Sequence, residues 1–271
     1  MGRVAVLGCG PSGLLAAHAA SMHEHDVDII SKKRKSEITG AQYLHDSIPG
    51  IHDLEYSPVT MNYVLKGTVE GYATKVYGKE LAGKFKTSPE SLTQRHQAWN
   101  LAEAYDQLWE WYSDNVFETD LTRVVLNDLM DSAVYDLVLS TVPANVLFQR
   151  GHFFTGIEIL SGELSVGLPD NHVLCNGEIF PSWYRASNVF GHEYAEWSTE
   201  TRTPSGNVMR HPPIPLRSVV KPLETNCDCW LHGIKEKGTA FKRLGRYGKW
   251  HKKELTHHAF EEALDLCEAI S

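Results

Sequence analysis

The stretch Arg3-Val-Ala-Val-Leu-Gly8-Cys-Gly10-Pro-Ser-Gly13-Leu-Leu-Ala-Ala17 decides how the rest of the chain is read. A short apolar run, a glycine-rich turn and a small-residue segment at helical spacing form the strand–turn–helix unit that cradles a dinucleotide. In such a unit Gly8 permits the tight turn, Gly10 lets backbone approach a pyrophosphate, and Gly13 lets helix and strand pack closely. The first N–H groups of the helix, beginning at Pro11 and Ser12, then face the phosphates, with the helix dipole favouring their charge. The motif follows the apolar run Val4–Leu7 and precedes Leu14–Met22, which is the context it requires.

A second strand is expected at Asp26–Ser31. Its last residue normally carries a carboxylate for the adenosine ribose. Here Ser31 stands there, followed by Lys32, Lys33 and Arg34. Two readings stay open at this point: a pocket for the 2′-phosphate of NADP, or FAD held mainly through its pyrophosphate and flavin. A solvated charge run is the plain alternative.

The chain has 271 residues, a net charge of −8 and 42% hydrophobic content, which suits an ordinary folded protein with a sizeable core. The acidic balance disfavours duplex nucleic acid as a partner of the whole surface. No apolar run reaches the roughly 18 residues of a membrane span, and the glycines within residues 4–20 argue against a signal peptide. Five scattered cysteines, at 9, 175, 227, 229 and 267, suggest a reducing, cytoplasmic setting. Cys227-Asp-Cys229 lacks the usual zinc spacing and a second pair. With Cys227–Gly233 read as a strand, both cysteines become small buried residues on one face, and no metal is expected.

Further along, Val59–Leu65 and Gly71–Val76 read as strands, and Ser91–Tyr112 as a helix with start signals at Ser88, Pro89 and Glu90. Its aromatic stripe, Trp99, Tyr105, Trp109 and Tyr112, is assigned to the core. Asn115–Thr119 and Arg123–Leu126 read as strands, and Tyr135–Pro143 as a buried parallel strand. Strand-like runs follow at Gly156–Leu160, Val173–Asn176, Val189–Trp197 and Cys227–Gly233, with an exposed loop at Thr203–Pro215. A last amphipathic helix, Thr256–Ile270, has Thr256 as its expected cap.

Three segments give the chain a resemblance to the flavoprotein family of amine oxidases, protoporphyrinogen oxidase and UDP-galactopyranose mutase. They are Gly8–Gly13, the strand Tyr135–Pro143 with Thr141 and Pro143 at its end, and Arg243-Leu-Gly245-Arg246-Tyr247-Gly248-Lys-Trp250 followed by Leu255-Thr256-His257-His258-Ala259. Pro181–Arg185 is similar to the mutase segment that carries an arginine beside flavin and substrate. The resemblance implies a Rossmann-like α/β FAD-binding domain of the glutathione-reductase type, with an inserted β-rich substrate layer. The FAD domain would comprise 1–50, 115–150 and 235–271, and the substrate layer 51–114 and 151–234. FAD becomes the expected cofactor over NADP. The departures are a shorter chain, a reduced helical substrate region, Ser31 for the ribose carboxylate, and Gly40-Ala41 for a Gly-Gly pair.

The cofactor-binding residues expected on this basis are Gly8, Gly10, Pro11, Ser12, Gly13, Ser31, Lys32, Lys33, Gly40, Gln42, Thr141, Pro143, Gly245, Arg246, Trp250, Leu255, Thr256 and His257. Arg246, a fixed cation on a glycine-flanked turn, suits the flavin's pyrimidine edge or an anionic substrate group. Arg185 is a second such candidate, and His45 a candidate acid or base because its ordinary pKa lies near neutrality. The expected activity is FAD-dependent, amine oxidase-like hydride transfer from a C–N or C–H bond. The substrate is a small molecule or a modified nucleobase, with Lys242–Lys253 as a basic strip for the latter. A redox-neutral mutase-like reaction and a non-catalytic NADP- or FAD-binding protein stand as alternatives.

Overall fold

A computed structural model describes residues 1–34, 38, 43–51, 58–148, 150–199 and 210–271. Gly40, Gln42 and the greater part of Thr203–Pro215 lie outside the described residues. The chain divides into two compact units, 1–56 with 101–155 and 222–271, and 57–100 with 156–221. Residues 101–114 and 222–234, expected in the substrate layer, therefore belong to the first unit.

Unit 1 contains β1 (Arg3–Leu7), α1 (Pro11–Met22), β2 (Asp26–Ser31), β3 (Tyr43–Leu44), α3 (Leu101–Tyr112), β6 (Val116–Glu118), α4 (Arg123–Asp131), β7 (Leu137–Ser140), α5 (Ala144–Leu147), β13 (Ile234–Glu236), β14 (Thr239–Arg243), α6 (Gly245–Lys249) and α7 (His258–Glu268). Unit 2 contains β4 (Val59–Gly67), α2 (Val69–Ala82), β5 (Arg95–Asn100), β9 (His172–Gly177), β10 (Arg185–Val189) and β11 (His192–Ser198), together with most of β8 (Phe154–Glu163) and β12 (Arg217–Thr225).

The sheet of unit 1 has the order β13-β14-β7-β1-β2-β6. All its pairings are parallel except β13 on β14. β1 lies between β2 and β7, so the chain departs to both sides of it. A crevice beyond the carboxyl ends of the strands at such a switch point is where open α/β sheets bind ligands. The core strands read as unbroken apolar runs because both faces are covered: Val4, Ala5, Val6 and Leu7 have no exposed surface.

Helix α1 is buried on all sides from Gly13 to Ala20, and its alanines let neighbouring helices approach. His18 ties it to its surroundings. Its Nδ1 lies 3.0 Å from the Tyr112 hydroxyl of α3, its Nε2 lies 2.8 Å from the Pro49 carbonyl, and its ring stacks on Phe260 of α7. Burial pushes this imidazole down, partly offset by the Pro49 carbonyl, so it is held neutral.

Five segments differ from the sequence reading. Gly71–Val76 lies in helix α2, not a strand: Thr68 caps it by accepting a hydrogen bond from the Gly71 N–H at 3.0 Å. Arg123–Leu126 opens helix α4, capped likewise by Thr122, with Leu126 and Met130 buried four residues apart. The expected long helix begins only at Leu101, because Arg95–Asn100 pairs antiparallel with β4. Cys227–Gly233 forms successive turns, closed by Leu231 N–H to the Asp228 carbonyl and Gly233 N–H to the Trp230 carbonyl. Val189–Trp197 is a hairpin rather than one strand, its turn made by Phe190 and Gly191, both at positive φ.

In unit 2 the strands run β12-β8-β11-β10-β9-β4-β5; β8–β11, β11–β10, β10–β9 and β4–β5 pair antiparallel, and β4–β9 parallel. Trp183, Ala186, Ala195 and Trp197 form an apolar cluster backed by Leu160, Leu174 and Leu216. Arg185 and Glu196 stand directly opposite each other across β10 and β11.

Candidate functional site

The glycine turn of unit 1 has the shape its sequence requires. Gly8 sits at φ +102°, and a Cβ on Gly13 would lie 1.8 Å from the Gly8 carbonyl oxygen, so strand and helix touch backbone to backbone. Gly10 is the opposite case. It caps α1 in an extended conformation, and a Cβ there meets nothing within 4 Å. The N–H groups of Gly13 and Leu14 both close on its carbonyl. Open space therefore lies beside Gly10 at the N-terminus of a 12-residue helix, where backbone donors and the dipole favour an anion.

Thr141, at the end of β7, donates its hydroxyl to the Leu7 carbonyl at 2.9 Å and stands against Gly8 and Gly13. Pro143 immediately precedes α5. Gly245 enters α6 at φ +67°, where a Cβ would be 3.0 Å from the Ser12 hydroxyl and 3.7 Å from Cβ of Ala259. A Cβ on Gly248 would be 2.6 Å from the Ser140 carbonyl oxygen. The N-termini of α1 and α7, helix α6 and the end of β7 are thereby drawn to one place. Pro11, Ser12, Gly245, Thr141 and the segment Leu255–His257 share it.

Helix α7 begins at His258 with His257 as its cap, so Thr256 does not cap it by its side chain; its carbonyl instead accepts from Ala259. The Leu255 N–H donates to His258 Nδ1 at 3.3 Å. His257 is buried, and its Nδ1 has no hydrogen-bond partner among the described residues. Burial, then the neighbouring His258, pushes its pKa down, so the ring stays neutral near pH 7. The His45 ring lies 6.0 Å from it and 4.9 Å from the Tyr43 ring. Arg246 donates Nε–H to the Glu254 carbonyl at 3.0 Å, which fixes the guanidinium along α6.

Other expected residues serve different ends. Ser31 accepts the Cys9 N–H at 3.0 Å, bracing the glycine turn from the neighbouring strand. Lys32 pairs with Asp120, Arg34 pairs with Asp106 and lies over the Tyr105 and Trp109 rings, and Lys33 is exposed. Two of the three cations after β2 thus take part in exposed surface ion pairs. Trp250 is buried, donates its indole N–H to the Thr155 carbonyl and packs edge-on against Phe154. In the Lys242–Lys253 strip, Lys249 is occupied by Glu254 and Glu262.

Arg185 belongs to unit 2. Its guanidinium reaches Glu196 Oε1 at 2.6 Å, while its buried Nε has no partner among the described residues. Tyr184 donates to Glu196 Oε2 at 2.6 Å, and Lys221 lies 3.1 Å from both carboxylate oxygens. Burial raises the Glu196 carboxyl, but Arg185 and Lys221 outweigh it and bring it down to about 2. Also in unit 2, Lys75 of α2 donates to the Pro181 and Trp183 carbonyls, more than a hundred positions on, and burial lowers it to about 8. Lys75 and Glu196 escaped the sequence reading because no short motif joins partners so far apart in the chain.

No protein-family model matches the chain, and no curated protein matches it in sequence. Solved structures do share its fold. Klebsiella pneumoniae HpxO, in complex with FAD and uric acid, matches with a TM-score of 0.51 over 98% of this chain and 79% of that one, at 14% identity. MibH, a lanthipeptide tryptophan 5-halogenase, matches with a TM-score of 0.60 over 100% and 67%, at 11% identity. A 2-methyl-3-hydroxypyridine-5-carboxylic acid oxygenase matches with a TM-score of 0.53 over 100% and 83%, at 14% identity. The fold is therefore the Rossmann-like α/β flavoprotein fold, as expected. These likenesses run to oxygenases and halogenases and lend no support to the amine oxidase or mutase family. No helix among the described residues is long and apolar enough to cross a membrane.

Proposed function

We propose that the protein is an FAD-dependent oxidoreductase that acts, with dioxygen, on a small ring-containing substrate. The observation that carries this is the open space at Gly10, at the N-terminus of α1 and the switch point of the sheet. A pyrophosphate suits open space beside a glycine at a helix N-terminus, where backbone N–H groups can reach it. The orphaned His257 Nδ1 is a second fit: a buried polar atom without a partner suits a bound ligand better than an empty core.

The flavin supplies the electron chemistry; the chain binds, orients and tunes it. Gly8–Gly13 hold the phosphates against backbone donors. Thr141 and Gly245 keep bulk away from the same opening, and the N-terminus of α7 adds positive potential where a second anionic group is bound. Burial and His258 push His257 toward its neutral form, and its Nδ1 is open to a ligand as donor or acceptor according to the tautomer. Arg246 supplies a permanent cation, held by the Glu254 carbonyl. The kind of substrate is supported by uric acid, tryptophan and a hydroxypyridine carboxylate, named for HpxO, MibH and the oxygenase.

The test is a visible spectrum of the purified protein, followed by oxygen uptake with NADH or NADPH and a panel of aromatic heterocycles. Bound flavin and substrate-stimulated oxygen uptake are expected. A protein that binds no FAD overturns the cofactor assignment. Anaerobic bleaching by an amine, without NAD(P)H, restores hydride transfer from substrate in place of oxygen chemistry.

A further inference from the structure

We infer that His152, Cys227 and Cys229 form a zinc-class metal site, independent of the flavin site. Their ligand atoms all lie within 4.8 Å of one another, and His152 Nε2 is 3.1 Å from Cys229 Sγ. One imidazole and two thiols are the donor set that Zn2+ takes in tetrahedral sites. Among the described residues no fourth histidine, cysteine or carboxylate joins the group, which leaves one position of a tetrahedron for water or another ligand.

The backbone around these donors is held in a way that a lone thiol–imidazole contact does not need. The Phe153 N–H donates to Asn226 Oδ1 at 2.8 Å, and the Thr225 hydroxyl donates to the Phe153 carbonyl at 2.6 Å. The same hydroxyl accepts the Cys227 N–H at 3.0 Å. The segment bearing His152 is thus clamped to the segment bearing both cysteines. Arg243, 1% exposed, donates to the Cys227 carbonyl at 3.3 Å and the Cys229 carbonyl at 3.0 Å, and lies 3.7 Å from Cys227 Sγ. Outer-sphere donors of this kind fix the ligands and offset the charge of metal-bound thiolates. With 227–233 a succession of turns, the two sulfurs and the His152 imidazole come within 4.8 Å of one another.

The experiment is metal analysis of the full chain, purified under reducing conditions, and its titration with Co2+ as a spectroscopic stand-in for Zn2+. One equivalent of metal and a sulfur-to-cobalt charge-transfer band are expected. Cys229→Ser and His152→Gln should each weaken Zn2+ binding by more than about tenfold, the loss that follows even from disturbing an outer-sphere partner. Cys229→His, which keeps a ligand, should retain binding, with circular dichroism confirming that each variant is folded. Wild-type protein that binds no Co2+ through sulfur, or binds it no better than Cys229→Ser, overturns the site. So does recovery of Cys227 and Cys229 as a disulfide.

Discussion

The Cys9 N–H donates to the Ser31 hydroxyl at 3.0 Å, and both residues are buried. A side chain at the position where dinucleotide folds place a ribose-binding carboxylate is used here to hold the turn. Ser31→Ala leaves a buried N–H without its acceptor, at a cost of about 1–3 kcal/mol. Chemical denaturation of the ligand-free protein should show that loss. An unchanged midpoint and slope would mean that the turn needs no brace from β2.

Gly10 and Gly13 should separate binding from folding. A Cβ on Gly10 meets nothing within 4 Å, so Gly10→Val should cost no more than about 1 kcal/mol, the loss of a good helix cap, while abolishing retention of FAD. A Cβ on Gly13 would press on the Gly8 carbonyl oxygen at 1.8 Å, so Gly13→Ala should lower stability itself. Stoichiometric flavin in folded Gly10→Val would remove the phosphates from this turn.

Glu196 neutralises two cations, Arg185 and Lys221, with its side chain 6% exposed. Glu196→Gln strands both in a buried setting and should cost about 3–5 kcal/mol, a fall in Tm of roughly 10 °C. The pH dependence follows from the depressed carboxyl, about 2 in the folded protein. The unfolded chain binds this proton more readily, so the contribution is complete above the ordinary carboxylate range. It is lost as pH falls from about 5 toward 2. The variant's stability should therefore vary less with pH across that window than the parent's.

The parts of the fold legible in the sequence are those whose signal is local. Val4–Leu7, the glycine turn and the buried strand ending at Thr141 carry their instructions within a dozen residues. The final helix does too, since Ala259, Phe260, Ala263 and Cys267 share one face. Helices α2 and α4 were hidden because Val69, Tyr72 and Val76, like Val124 and Val125, carry strand-favouring side chains; the Thr68 and Thr122 caps are stronger signals. Arg95–Asn100 was hidden for the converse reason: its spacing continues a helical pattern, but pairing with β4 decides its form. The candidate site was legible wherever glycine marks backbone contact. It was illegible where distant segments meet, as with Ser12 at Gly245, His152 at Cys229, and Glu196 between Arg185 and Lys221.

The interleaving of the two units sets an order of assembly on the ribosome. Unit 2 is complete once residue 221 has emerged, whereas unit 1 still lacks β14, α6 and α7. Until then β7 has an open edge, and nothing caps the turn formed by Gly8–Gly13. His25 and the Cys267 carbonyl, 3.0 Å apart in the finished protein, are separated by 242 positions in the chain. The glycine turn thus becomes a closed site only after the segment 239–268 has been made, long after the turn itself.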